Sequence, residues 1–146
     1  MLECYFDGAC EPINPGGNIA WAFVVYEDGE RRFEKSGFIE AKETNSNNVA
    51  EYMALLALLI HLKSIDAQDQ EILIRGDSKM VINQMWGTWN VNKGHYLPYA
   101  DKCEKLRIEF EDLTGEWVPR EQNSYADSLT EKEVRSRNIA MFRDRR

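Results

Sequence analysis

Asn47-Asn48-Val49-Ala50-Glu51-Tyr52-Met53-Ala54-Leu55-Leu56-Ala57-Leu58-Leu59-Ile60-His61-Leu62-Lys63-Ser64 is the stretch around which the rest of the chain is organised. Its apolar side chains cover a wide helical face, and Ala50, Ala54, Ala57 and His61 recur at helical spacing as a narrow stripe opposite. One carboxylate, Glu51, falls in a single row with Leu55, Leu58 and Leu62, on the flank of the buried face. An acid in that position must be paired, hydrogen-bonded or bound to a metal. The alternative, a partly solvated first-turn Glu favoured by the helix dipole, stays open on this stretch alone.

Outward from this helix, the preceding chain reads as strands. Leu2 to Asp7 alternates, and Asp7-Gly8 ends it; Glu11 to Asn18 is a loop by its Pro and Gly residues. Ile19 to Tyr26 is an apolar strand, Asp28-Gly29 a hairpin turn, and Arg31 to Ile39 a return strand whose charges place it at an edge. After the helix, Glu71 to Asp77 holds Ile72, Leu73 and Ile74 in succession, as a central strand does. Ser78 to Met85 reads as a short helix, Trp86 to Pro98 as an irregular aromatic connection, and Tyr99 to Leu113 as a helix with Leu106, Phe110 and Leu113 on one face. Glu116 to Val118 is the last strand, Ser124 opens another helix, and Thr130-x-x-Glu133 fits the cap of a further turn. The expectation is an α/β fold: a five-stranded mixed sheet, its first three strands antiparallel, flanked by helices.

In such sheets ligands gather at the carboxyl ends of the central parallel strands. Asp7 and Asp77 end the first and fourth strands, Asp127 enters the helix after the last strand, and Glu51 leans in from the buried helix. Four carboxylates converging on one edge repel one another unless cations intervene. All-oxygen donors without a His or Cys cluster favour Mg²⁺ or Mn²⁺ over zinc. Two such ions roughly 4 Å apart suit phosphodiester hydrolysis.

The chain of 146 residues is sized for one domain, and its 43% hydrophobic and 29% charged residues describe an ordinary globular protein. No apolar run is long enough for a membrane span and no signal peptide is recognisable, so a cytoplasmic protein without a membrane partner is expected. Cys4, Cys10 and Cys103 lack metal or disulfide spacing and are read as reduced packing residues. The net charge of -7 is uneven: residues 1–131 hold 12 Lys or Arg against 23 Asp or Glu, whereas residues 132–146 hold 6 against 2. An acidic body cannot hold a nucleic acid by general attraction, so local contacts, metal ions or the basic end must do so.

Four motifs, in this order, resemble type 1 ribonuclease H: Asp7-Gly8-Ala9-Cys10 with Asn14-Pro15-Gly16; Asn47-Asn48-Val49-Ala50-Glu51; Gly76-Asp77-Ser78; and Asn123-x-x-Ala126-Asp127-x-Leu129. The string Val118-Pro119-Arg120-Glu121-x-Asn123 looks most like its compact prokaryotic and archaeal-style branch. The resemblance runs from Leu2 to about Leu129 and implies a catalytic domain over residues 1–131; the charge distribution marks 132–146 as a basic tail, expected to be helical. It implies an endonuclease that hydrolyses the RNA strand of RNA/DNA hybrids and leaves 5'-phosphate and 3'-hydroxyl ends. A monomer without an obligatory protein partner is expected.

By the family pattern Asp7 bridges two Mg²⁺ or Mn²⁺ ions, Asp127 shares the ion of the attacking water, and Glu51 and Asp77 hold the ion facing the leaving oxygen. Glu51 would also accept a hydrogen bond from a substrate 2'-hydroxyl, which separates RNA from DNA. Cys10 (through its main chain), Asn14, Asn47, Asn48 and Ser78 fall where the family reads the minor groove, and Asn47 also suits a helix cap.

Two features of the family are missing. Trp117 to Asp127 is short and has no His, leaving Glu121 or Arg120 to aid product release. There is also no basic handle helix; Trp86, Trp89 and Tyr96 are core anchors or stacking residues, and Arg135, Arg137, Arg143, Arg145 and Arg146 are candidate replacements for the handle. Two further readings stand beside this one. A catalytically weak module binding hybrid or double-stranded RNA would have little use for four acids. A response-regulator-like phosphoryl-transfer protein would show a more fully parallel strand and helix alternation.

Overall fold

The computed structural model describes residues 1–91 and 93–145. Its strands are β1 (Leu2–Glu11), β2 (Asn18–Glu27), β3 (Glu30–Ile39), β4 (Glu71–Gly76) and β5 (Asp112–Trp117). Its helices are α1 (Asn47–Ser64), α2 (Lys79–Met85), α3 (Leu97–Arg107) and α4 (Ser124–Arg135), with short 3-10 turns at Arg120–Gln122 and Phe142–Arg145. The five strands form one sheet in the order β3-β2-β1-β4-β5. β1, β2 and β3 are antiparallel neighbours, while β4 runs parallel to both β1 and β5. The mixed sheet expected from the sequence is therefore the one observed, with the charged β3 at its edge.

Alternation along β1 sends Leu2, Cys4 and Phe6 into a core shared with Ile19 and Phe23 of β2 and with Leu55, Leu58, Leu59 and Leu62 of α1. α1 lies so close to β1 that a Cβ on Gly8 would sit 2.3 Å from the Ala50 carbonyl carbon, so only glycine fits there. On the other side of β2, Ala20 is covered by Val134 of α4 and by Met141, which the chain brings back after α4 ends. Cys4, Cys10 and Cys103 are buried free thiols, and burial pushes that of Cys4 up to about 12. No helix among the described residues is long and apolar enough to cross a membrane.

Several local expectations are corrected. The first strand does not end at Asp7-Gly8 but continues, paired with β2, to Glu11. The third helix stops at Arg107, and Leu113 belongs to β5, which begins at Asp112 and ends at Trp117 rather than running from Glu116 to Val118. The spacing of Leu106, Phe110 and Leu113 imitates a helical face because helix, turn and strand each bury one apolar residue against the same core. Gly115 hid the strand, yet it is required, since the Trp86 ring lies where its Cβ would be. Thr130 caps no new turn; it lies inside α4. Residues after Arg135 leave the helix and return as the Phe142–Arg145 turn. Of the cations proposed to replace the handle, Arg146 and the Arg145 side chain lie outside the described residues.

Candidate active site

The parallel register of β1 and β4 pairs Phe6 with Gly76, so the next residues, Asp7 and Asp77, emerge side by side at the carboxyl edge. α1 starts above β1 and brings Glu51 onto the same spot, where the Gly8 N–H donates to its carboxylate. One carboxylate oxygen from each of Asp7, Glu51 and Asp77 lies within 4.8 Å of the other two. Asp127, in the first turn of α4, lines the same cleft outside this tight trio. The cleft measures about 710 Å³.

Asp7 and Glu51 are only 5% and 6% exposed, which makes their charges expensive. Burial first, then the charges of Asp77 and Asp127, push the Asp7 carboxyl well above its ordinary range; Thr130, donating to Asp7 Oδ2 at 3.1 Å, opposes this. Glu51 is raised in the same direction by burial and by Asp7 and Asp77, against the Gly8 N–H. Asp77 is raised by burial and Asp127, and lowered in part by Arg120 and the Asn123 amide. Among the described residues no salt bridge reaches the trio. The nearby guanidiniums contact Asp127 instead: Arg120 at 3.5 Å and Arg143 at 3.7 Å. A largely buried, all-oxygen trio that no salt bridge among the described residues reaches fits a hard divalent cation.

The residues proposed for the groove gather at this cleft. Cys10, Asn14, Asn47, Asn48 and Ser78 all line it. Asn47 does not cap α1, because Ser46 does, its Oγ accepting the Val49 N–H at 3.2 Å. Asn47 Oδ1 instead accepts the Cys10 N–H, and Asn14 Oδ1 accepts the Asn47 N–H, both at 2.9 Å. These bonds tie the end of β1 and its loop to the start of α1. Ser78 caps α2 through the Val81 N–H. Arg120 lines the cleft, whereas Glu121 is exposed beside it and is not part of the lining. Trp86 and Tyr96 are anchors: Trp86 donates to the Leu113 carbonyl, and Tyr96 stacks on Tyr52 at 5.5 Å. Trp89 is exposed.

Several contributors were not assigned a role in the site from sequence. Thr130 lies one helical turn after Asp127, a spacing that puts the two on one face. Asn123 is buried and donates to the Phe6 carbonyl at 2.9 Å, so it fastens the start of α4 to the strand that carries Asp7. The Trp117 indole donates to the Asp77 carbonyl at 3.2 Å, and Met141 and Phe142 complete the wall.

The reverse transcriptase-like family matches residues 5–133. The crystal structure of RNase H1 from the halophilic archaeon Halobacterium salinarum superposes with a TM-score of 0.79 at 31% identity, covering 92% of this chain and 98% of that one. The chain belongs to the type 1 ribonuclease H family. A second member of that family, LC11-RNase H1 in complex with an RNA/DNA hybrid, matches with a TM-score of 0.80 at 28% identity over 90% of this chain and 95% of that one. Ribonuclease HI of H. salinarum is 33% identical over 129 residues, 88% of this chain and 61% of that protein. Mycobacterial relatives 39% identical over 84 residues are much longer, and the match spans 22% of their length.

Proposed function

We propose that the chain is an endoribonuclease that hydrolyses the RNA strand of an RNA/DNA hybrid, leaving 5'-phosphate and 3'-hydroxyl ends. Asp7, Glu51, Asp77 and Asp127 would hold two divalent cations, Mg²⁺ or Mn²⁺, and the protein would act as a cytoplasmic monomer. The observation that carries this reading is the convergence within 4.8 Å of three carboxylates, two buried and one half-buried, from the middle of β1, the residue after β4 and the first turns of α1. Bound there, the cations would supply Lewis-acid stabilisation of the attacking and leaving oxygens.

The chain's own groups orient and select. Thr130 fixes one oxygen of Asp7, and the Gly8 N–H fixes one of Glu51. The second Glu51 oxygen can accept a hydrogen bond from a 2'-hydroxyl, which DNA lacks. Asn14, Asn47 and Asn48 offer amides along the cleft to a minor groove, with the Cys10 main chain and Ser78 beside them. Arg120, in the cleft lining, with Glu121 next to it in the 3-10 turn, would aid release of the product.

End-labelled RNA offered as hybrid, RNA duplex and single strand tests this, in Mg²⁺, Mn²⁺ or EDTA. Cleavage confined to the hybrid, dependent on the ion and abolished in Asp77→Asn, is expected. Intact hybrid with both ions overturns the proposal. Binding without cleavage assigns the fold to a hybrid-binding module.

A further inference from the structure

The cleft is short of positive charge: Arg120 is the one Lys or Arg in its lining among the described residues, on a chain of net charge -7. A nucleic acid must be gripped by something else. Part of the cleft wall comes from beyond α4, where Met141 plugs into Ala20 and Val134 at 2% exposure. Past the plug, the Phe142 N–H donates to Glu11 of β1. Asp144 Oδ1 and Oδ2 each accept from Arg135 at 2.9 Å, and Oδ2 also accepts the Met141 N–H at 3.0 Å. Arg143 bonds Glu131 at 2.5 Å and stands 3.7 Å from Asp127. The segment is therefore fastened at both sides of one residue, Phe142, whose ring is left 55% exposed at the cleft. What sets this exposed ring apart is its place: it is held on a pinned backbone in the lining of the cleft, where a sugar or base can pack on it.

We propose that residues 141–143 form a substrate-gripping strap. Phe142 is the apolar surface on which a sugar or base of the hybrid rests, and Arg143 is the phosphate contact at the Asp127 end. The strap takes over part of the grip that the absent basic handle would give, and it rests on the hybrid reading above. A ring contact adds affinity with little dependence on salt, whereas a guanidinium on phosphate adds a salt-dependent part. The two residues can therefore be told apart in one measurement.

The test is fluorescence anisotropy of a labelled RNA/DNA hybrid with the full chain in EDTA, over a salt series, alongside thermal melts. Phe142→Ala should weaken binding at least about fivefold, the lower end for loss of one stacked ring, with the salt slope and melting temperature unchanged. Phe142→Trp should restore it. Arg143→Gln should flatten the slope of log affinity against log salt by about 0.7 to 0.9, the loss of one phosphate contact. Ile108→Ala, which removes an even more exposed apolar side chain from another part of the surface, should change neither. Phe142→Ala binding within twofold of wild type, with wild-type affinity measurable, overturns the strap alone. Wild-type protein that binds no hybrid in EDTA overturns the strap as a metal-free grip, and hybrid left intact with both Mg²⁺ and Mn²⁺ overturns the hybrid reading as well.

Discussion

Replacing Asp7 by Asn should make the ion-free protein more stable while abolishing its chemistry. Asp7 is buried, with like charges around it and one carboxylate oxygen within 4.8 Å of those of Glu51 and Asp77. At an effective dielectric of about 20, two unit charges at that separation repel by about 3.5 kcal/mol. Part of that repulsion is already relieved, because the raised carboxyls hold protons instead of ionising. A net gain of about 2 kcal/mol for Asp7→Asn at pH 8 is therefore the expectation, or about 6 °C in melting temperature for a chain of this size. The sign follows from linkage. The folded pKa of Asp7 is raised, so folded protein binds more protons than unfolded chain, and native stability declines as pH climbs from about 4 through the raised value. The difference between Asp7→Asn and wild type should accordingly be small at pH 4 and full at pH 8. Thermal melts by circular dichroism in EDTA, from pH 4 to 8, measure it. Added Mg²⁺ should then raise the wild-type melting temperature well above its value in EDTA and leave the variant nearly unmoved. A variant that melts at or below wild type in EDTA at pH 8 refutes the account of the cluster as mutually repelling acids.

Three other outcomes are expected. Thr130→Val frees Asp7 Oδ2, and loss of one hydrogen bond to a charged group, about 1.5 to 3 kcal/mol, should reduce single-turnover cleavage roughly 10-fold or more; an unchanged rate removes Thr130 from the site. Arg135 pulls Asp144 down to about 2, so the stability lost in Asp144→Ala should be constant above pH 5 and fade as pH falls from about 4 toward 2, read by urea denaturation; a difference that persists below pH 2 excludes the ion pair as its cause. Arg120→Ala should slow steady-state turnover more than single-turnover cleavage if Arg120 aids release, and equal slowing assigns it to the chemical step.

Much of this fold could be read from the chain because its signals are local. The apolar face of Asn47–Ser64, the alternation of Leu2–Asp7 and the Asp28-Gly29 turn each specify an element without outside help. The crossover rule then places Asp7 beside Asp77. β5 was misread because Gly115 and its polar neighbours have low strand propensity, and the Trp86 ring that makes glycine necessary is remote in sequence. Asn47 was ambiguous for a similar reason, since its amide serves Cys10 across a loop while the neighbouring Ser46 does the capping. Phe142 carries no pattern at all, and Arg143 was legible only as one cation of a basic end. Their place at the cleft depends on Met141 finding Ala20, a contact made only in three dimensions.

The absence of clearance between Gly8 and Ala50 makes the first strand and the long helix one mechanical part. Glu51 then inherits its aim from the leucine floor beneath it rather than from a flexible arm. A shift of the helix by a methyl group's breadth would swing that carboxylate off target, so damage in the hydrophobic interior would surface as misdirected chemistry before the molecule came apart.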